Sequence, residues 1–130
     1  MVAALLVGPQ WGCSGLASKD PEQEARNMAM NDPMARPTQV AWTSARAKHC
    51  GFVFDPAQLR ANYLSAEMQA GNPPEQMQKI ERAYDYTLQS VTATIKDDLT
   101  YCGKERTDAI RIDLNRYLAG DYTPSARMAR

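Results

Sequence analysis

The sequence predicts an all-α domain, a small antiparallel four-helix bundle with one disulfide, preceded by a flexible tether. Three observations carry that expectation. Apolar residues recur at spacings of three and four through several segments, the period of a helix rather than a strand. Helix start and stop residues bracket those segments, with Gly51, Gly71 and Gly120 closing three of them. The connections are short, which makes neighbouring helices antiparallel and brings Cys50 and Cys102 to the same pole of the bundle.

The first helix is expected from Thr38, a capping residue, to about Cys50, with Gly51 as its stop. Val40, Ala41, Ala45 and the Trp42 ring form its apolar side. Asp55-Pro56 opens the second, an N-cap followed by a proline where no N–H is needed. Leu59, Tyr63, Ala66 and Ala70 form its stripe, flanked by Leu64 and Met68. Asn72-Pro73-Pro74-Glu75 opens the third, whose stripe of Met77, Ile80, Tyr84, Leu88, Val91 and Ile95 is the clearest in the chain. Lys96-Asp97-Asp98 ends it. The fourth begins near Tyr101–Gly103 and turns Ile110, Leu114, Tyr117 and Leu118 inward. Its pairs Lys104/Asp108 and Asp113/Arg116 are spaced to interact along an exposed face. Phe52-Val53-Phe54 is expected to plug one end of the bundle with its rings.

The domain so defined is 38–120, with a tail at 121–130. It has few large side chains, and domains of that size gain from a staple. A Cys50–Cys102 bridge would stabilise it by about 4 kcal/mol in the chain-entropy model. Residues 14–37 are polar, hold prolines at 21, 33 and 37, and carry no large aliphatic residue after Leu16. Such a segment buries too little apolar surface to offset the entropy of ordering it. It is therefore expected to be a tether.

The apolar start Met1-Val-Ala-Ala-Leu-Leu-Val7, followed by Gly12-Cys13-Ser14-Gly15, resembles a bacterial lipoprotein signal. Beyond that segment no domain family is recognised. The resemblance implies that residues 1–13 are a truncated export signal and that Cys13 is lipidated. No Lys or Arg precedes Cys13, which is expected if the start codon lies upstream of Met1. A cleaved signal leading to a soluble periplasmic protein is the alternative. With Cys13 carrying lipid, an odd cysteine count resolves into one anchor and one disulfide.

Charge is balanced overall, with fifteen basic and fifteen acidic side chains, and nearly balanced within residues 1–37 and 38–123, with two arginines at 124–130. No nucleic-acid partner is expected from such a distribution. Catalysis is not expected either. His49 and Cys50 are adjacent, but neighbours on a helix diverge by about 100°, and a bonded Cys50 has no thiolate. Asp97-Asp98 has no partner set for acid–base work. A single histidine rules out an ordinary zinc site within one chain, and no cofactor is expected. Met28, Met30 and Met34 form a cluster of soft thioethers of the kind that selects Cu(I), the metal-handling alternative. Tyr63, Tyr86, Tyr117 and Tyr122 are a candidate aromatic surface for a partner.

The function expected from these features is non-catalytic: an exported, membrane-anchored interaction module that meets an envelope protein. A periplasmic stress chaperone or inhibitor is the other alternative.

Overall fold

The computed structural model describes residues 32–125, and the helical unit spans Pro33–Thr123. Four helices follow one another: α1 Ala35–His49, α2 Pro56–Gln69, α3 Pro74–Ile95 and α4 Lys104–Leu118. No strand occurs among the described residues. The expected signal, Cys13, Met28, Met30 and nearly all of the expected tether lie outside them.

The α1 helix is the centre of the bundle. It packs most extensively on α3, then on α4, and touches α2. Its side chains explain this position. Val40, Ala41, Thr43, Ser44, Ala45 and Ala47 are all buried, and none is large. A helix of small residues lets neighbours approach on several sides, and their bulkier chains then fill the space. Leu59 and Tyr63 come from α2, Ile80 and Tyr84 from α3, and Ile110, Leu114 and Tyr117 from α4. Each such side chain contributes on the order of 1.5–3 kcal/mol when fully buried.

The helix ends follow the local chemistry closely, with two exceptions. Gly51, Gly71 and Gly120 all have positive φ, a conformation that a Cβ disfavours. In each case the N–H groups of the glycine and its successor close onto the last turn, as in Gly51 N to Lys48 O and Phe52 N to Ala47 O. The carboxylate of Asp55 accepts from Ala57 N and Gln58 N ahead of α2. Asp55→Ala is expected to cost about 1 kcal/mol of stability, read from urea unfolding. No measurable loss would mean that the two N–H groups find solvent equally well.

The first exception is Thr38. Helix α1 starts at Ala35 with Met34 as its N-cap, so Thr38 lies inside the helix rather than capping it. Pro37 is tolerated there because first-turn N–H groups have no intrahelical acceptor. The second is Asn72. Helix α3 is preceded by Pro73 without a side-chain cap, and the Asn72 amide instead donates to Glu67 O and Oε1 at the end of α2.

Two expected stripes need correction. On α2 the inward series is Leu59, Tyr63 and Glu67, while Met68 and Ala70 face solvent. On α4, Leu118 is half exposed and Asp113 is buried, although the Asp113–Arg116 pair forms at 3.2 Å. The α3 stripe is as expected, with Ile80, Tyr84 and Ile95 buried and Met77, Leu88 and Val91 partly so. Phe52 and Phe54 pack against the core, and Val53 between them is fully exposed.

The Cys50–Cys102 disulfide is present, with the two Cα atoms 5.6 Å apart. It joins the C-terminal end of α1 to the turn before α4, the pole where the sequence expected these cysteines to meet.

Candidate functional site

The first cluster of interacting polar groups ties the start of α1 to the end of α2. Arg36 donates from Nε to Glu67 Oε2 at 2.8 Å and from Nη2 to Oε1 at 3.1 Å. The Tyr63 hydroxyl donates to the same Oε2, and Asn72 Nδ2 donates to Oε1 at 3.1 Å. Every oxygen of a carboxylate that is only 3% exposed is thus satisfied twice. Burial by itself pushes the Glu67 carboxyl up. The bonds from Arg36, Tyr63 and Asn72 and the Arg36 charge outweigh it and hold the carboxyl below its ordinary value. Tyr63 is driven well above the usual phenol range, first by burial and then by Glu67. No spacing in the sequence signalled this cluster, because Arg36 and Glu67 come together only in the fold.

The four tyrosines proposed as a surface do not form one. Tyr63 and Tyr117 are buried, and Tyr122 is half-buried beside them. The Tyr122 ring meets Tyr63 edge-on at 5.1 Å and stacks on Tyr117 at 6.2 Å. Tyr84 stacks on Tyr63 at 5.8 Å. These rings replace the aliphatic mass that the sequence lacks, so they belong to the core. The Tyr84 hydroxyl makes no hydrogen bond, and burial pushes its phenol up to about 12. The nearby Ser44 hydroxyl offsets this without reaching hydrogen-bond geometry.

Tyr86 alone of the four stands out, at 75% exposure on the outer side of α3. Around it Gln78, Glu81, Arg82, Asp85 and Gln89 line a shallow, open groove. Arg60 of α2 holds one edge, with Nε 2.8 Å from Asp85 and Nη2 2.8 Å from Glu81. Those two carboxylates keep the guanidinium above its ordinary range. The result is a mixed-charge face with one protruding aromatic ring.

The third cluster lies at the stapled pole. The Arg46 guanidinium sits 3.7 Å from the centre of the Trp42 ring, and its Nε donates to the Tyr101 hydroxyl at 2.7 Å. Arg106 lies 4.0 Å from the centre of the Tyr101 ring and donates to the Tyr101 carbonyl. His49 meets the same ring edge-on, with Nε2 3.4 Å from the Asp98 carbonyl oxygen. Cys50 is bonded, so the His49–Cys50 adjacency carries no thiolate chemistry. Val53 and Leu99, on the two loops at this pole, are almost completely exposed.

No known protein family, curated protein or solved structure matches this chain. Among the described residues no group of His, Cys, Asp and Glu side chains is arranged to hold a metal ion. Of the methionine cluster, only Met34 is described, and it packs against the hydrophobic core. Among the described residues no helix is long and apolar enough to cross a membrane.

Proposed function

We propose that this chain is an exported, non-catalytic interaction module of the bacterial envelope, carried on a lipid at Cys13. The observation that supports this most is the Cys50–Cys102 disulfide, because such bridges persist in oxidising compartments. The partner-facing surface in this reading is the outer side of α3 around Tyr86. An exposed tyrosine in a frame of fixed charges offers contact area at little entropic cost. The partner is an envelope protein with an apolar cleft for that ring.

Intact mass of the protein isolated from its native membrane tests this reading. The expected species begins at Cys13, carries a diacylglyceryl group and lacks two hydrogens. A reduced chain recovered from the cytoplasm overturns it. A species cut near Cys13 without lipid moves the protein to the soluble periplasm.

A second reading, an acid-responsive chaperone or inhibitor, draws on Glu67. A buried carboxylate that clamps two helices is a natural point of acid sensitivity.

A further inference from the structure

The described arginines divide into two sets. Arg36, Arg60, Arg111 and Arg116 all pair with carboxylates. Arg46, Arg82 and Arg106 form no such pair, and of these Arg46 and Arg106 lie together at the stapled pole, on either side of Tyr101. Arg46 is the unusual one, because it is only 5% exposed. A cation so deeply buried normally has a compensating charge.

Its bonding is also incomplete in a specific way. A guanidinium has five N–H groups. On Arg46 the Nε–H goes to Tyr101, and the Trp42 ring covers a face. The terminal nitrogens have no acceptor among the described residues. Stacking leaves the edge donors free for an acceptor in the guanidinium plane. Those nitrogens are not sealed in the interior. The enclosed polar side-chain atoms without a partner are Thr43 Oγ1, Ser44 Oγ and Tyr84 Oη alone among the described residues. Arg46 therefore opens to solvent through a narrow window.

The surroundings favour an anion there. Arg106 and His49 gather around the same Tyr101 ring. The Asp98 carboxylate, which feels the charges of Arg106 and His49, accepts from Thr100 N and Oγ1. Its charge still opposes an incoming anion in part. Two guanidiniums without carboxylate partners, one nearly buried and preorganised, match a phosphate oxyanion.

We infer that Arg46, with Arg106 and Tyr101, forms a binding site for phosphate, free or carried by a lipid headgroup. This site does not depend on export or on Cys13. Val53 and Leu99, at 99% and 96% exposure on the two loops joined by the disulfide, fit the headgroup source. Their side chains would enter the apolar edge of a bilayer while Arg46 takes the phosphate.

The test uses the full disulfide-bonded chain carrying Cys13→Ser, so that no lipid anchor is attached. Inorganic phosphate is titrated against chloride at matched ionic strength, following the Arg46 Nε–H and Trp42 indole N–H signals by NMR. Saturable shifts specific to phosphate are expected. Arg46→Lys keeps the charge but loses the planar edge, and should weaken binding at least tenfold. Arg106→Gln alters an exposed residue, so the fold should hold, and should weaken it at least threefold.

Phosphatidylglycerol vesicles distinguish the source. Sedimentation with vesicles that is lost in Val53→Ser/Leu99→Ser, with the phosphate titration unchanged, identifies a headgroup. Saturable phosphate binding without vesicle binding identifies free phosphate. Shifts no larger than those with chloride overturn the site, as does phosphate affinity unchanged in Arg106→Gln.

Discussion

Replacing Cys50 and Cys102 together by alanine is expected to remove about 4 kcal/mol of stability. The bridge closes a loop with a sequence separation of 52. Its main effect is on the unfolded chain, which loses the conformations in which those ends are far apart. For a domain of this size the melting temperature should fall by roughly 20 °C. That is a large share of the roughly 5–15 kcal/mol that holds such a domain together. Thermal unfolding followed by circular dichroism, with the alanine variant and with reductant added to the natural chain, measures it. Cys102 is exposed, so reductant reaches the bond without global opening. A fall of less than about 5 °C would show that the helices hold themselves without the staple.

The second expectation concerns Glu67→Gln. The substitution preserves shape but removes the charge and places an NH₂ group among donors. Arg36, Tyr63 and Asn72 then compete for one remaining carbonyl oxygen. Breaking a fully buried ion pair costs on the order of 3–5 kcal/mol. Arg36 keeps 40% of its side chain in solvent, so a loss of about 2–3 kcal/mol is expected at neutral pH.

The same residue sets an acid dependence. The folded-state pKa of Glu67 lies below the ordinary value of 4.5. Its stabilisation is complete above that value and is lost as pH falls through the folded pKa. Stability of the natural chain should therefore drop below about pH 4.5 more than that of Glu67→Gln. Urea midpoints at pH 6 and pH 3 for both proteins give the comparison. Exposed Asp98, Asp108 and Asp121 also have lowered pKa values, but they are common to both and cancel. Equal acid losses in the two proteins would remove Glu67 as the sensor and, with it, the support for an acid-responsive chaperone.

The parts of the fold that were legible in the sequence are those fixed by neighbours within one helix. The α3 stripe, the Asp55-Pro56 start and the three glycine stops all act over a few residues. Thr38 misled because a good cap is also an acceptable interior residue, and the chain found three more helical residues ahead of it. Glu67 was invisible for a different reason. A glutamate at a core position becomes acceptable only when Arg36 arrives, and periodicity cannot register that. Of the four tyrosines only Tyr86 is on the surface; Tyr63, Tyr117 and Tyr122 pack inward because a helix of small residues needs their volume. For Arg46 the sequence marks only the Trp42 ring one helical turn before it. The lack of a carboxylate on Arg46 is a property of the assembled pole, where Trp42 and Tyr101 meet it from different elements.

The staple also has a mechanical meaning. Under tension between the two ends of the domain, the chain from Cys50 to Cys102 is bypassed, because the load runs through sulfur. All of α1 and all of α4 lie outside that ring, while α2 and α3 lie within it. A pull applied at the two ends of the domain can therefore peel away the flanking helices but cannot lengthen the ring. The contour gained in a force–extension trace would be short, and the α2–α3 hairpin with its Tyr86 face would stay shielded from the load.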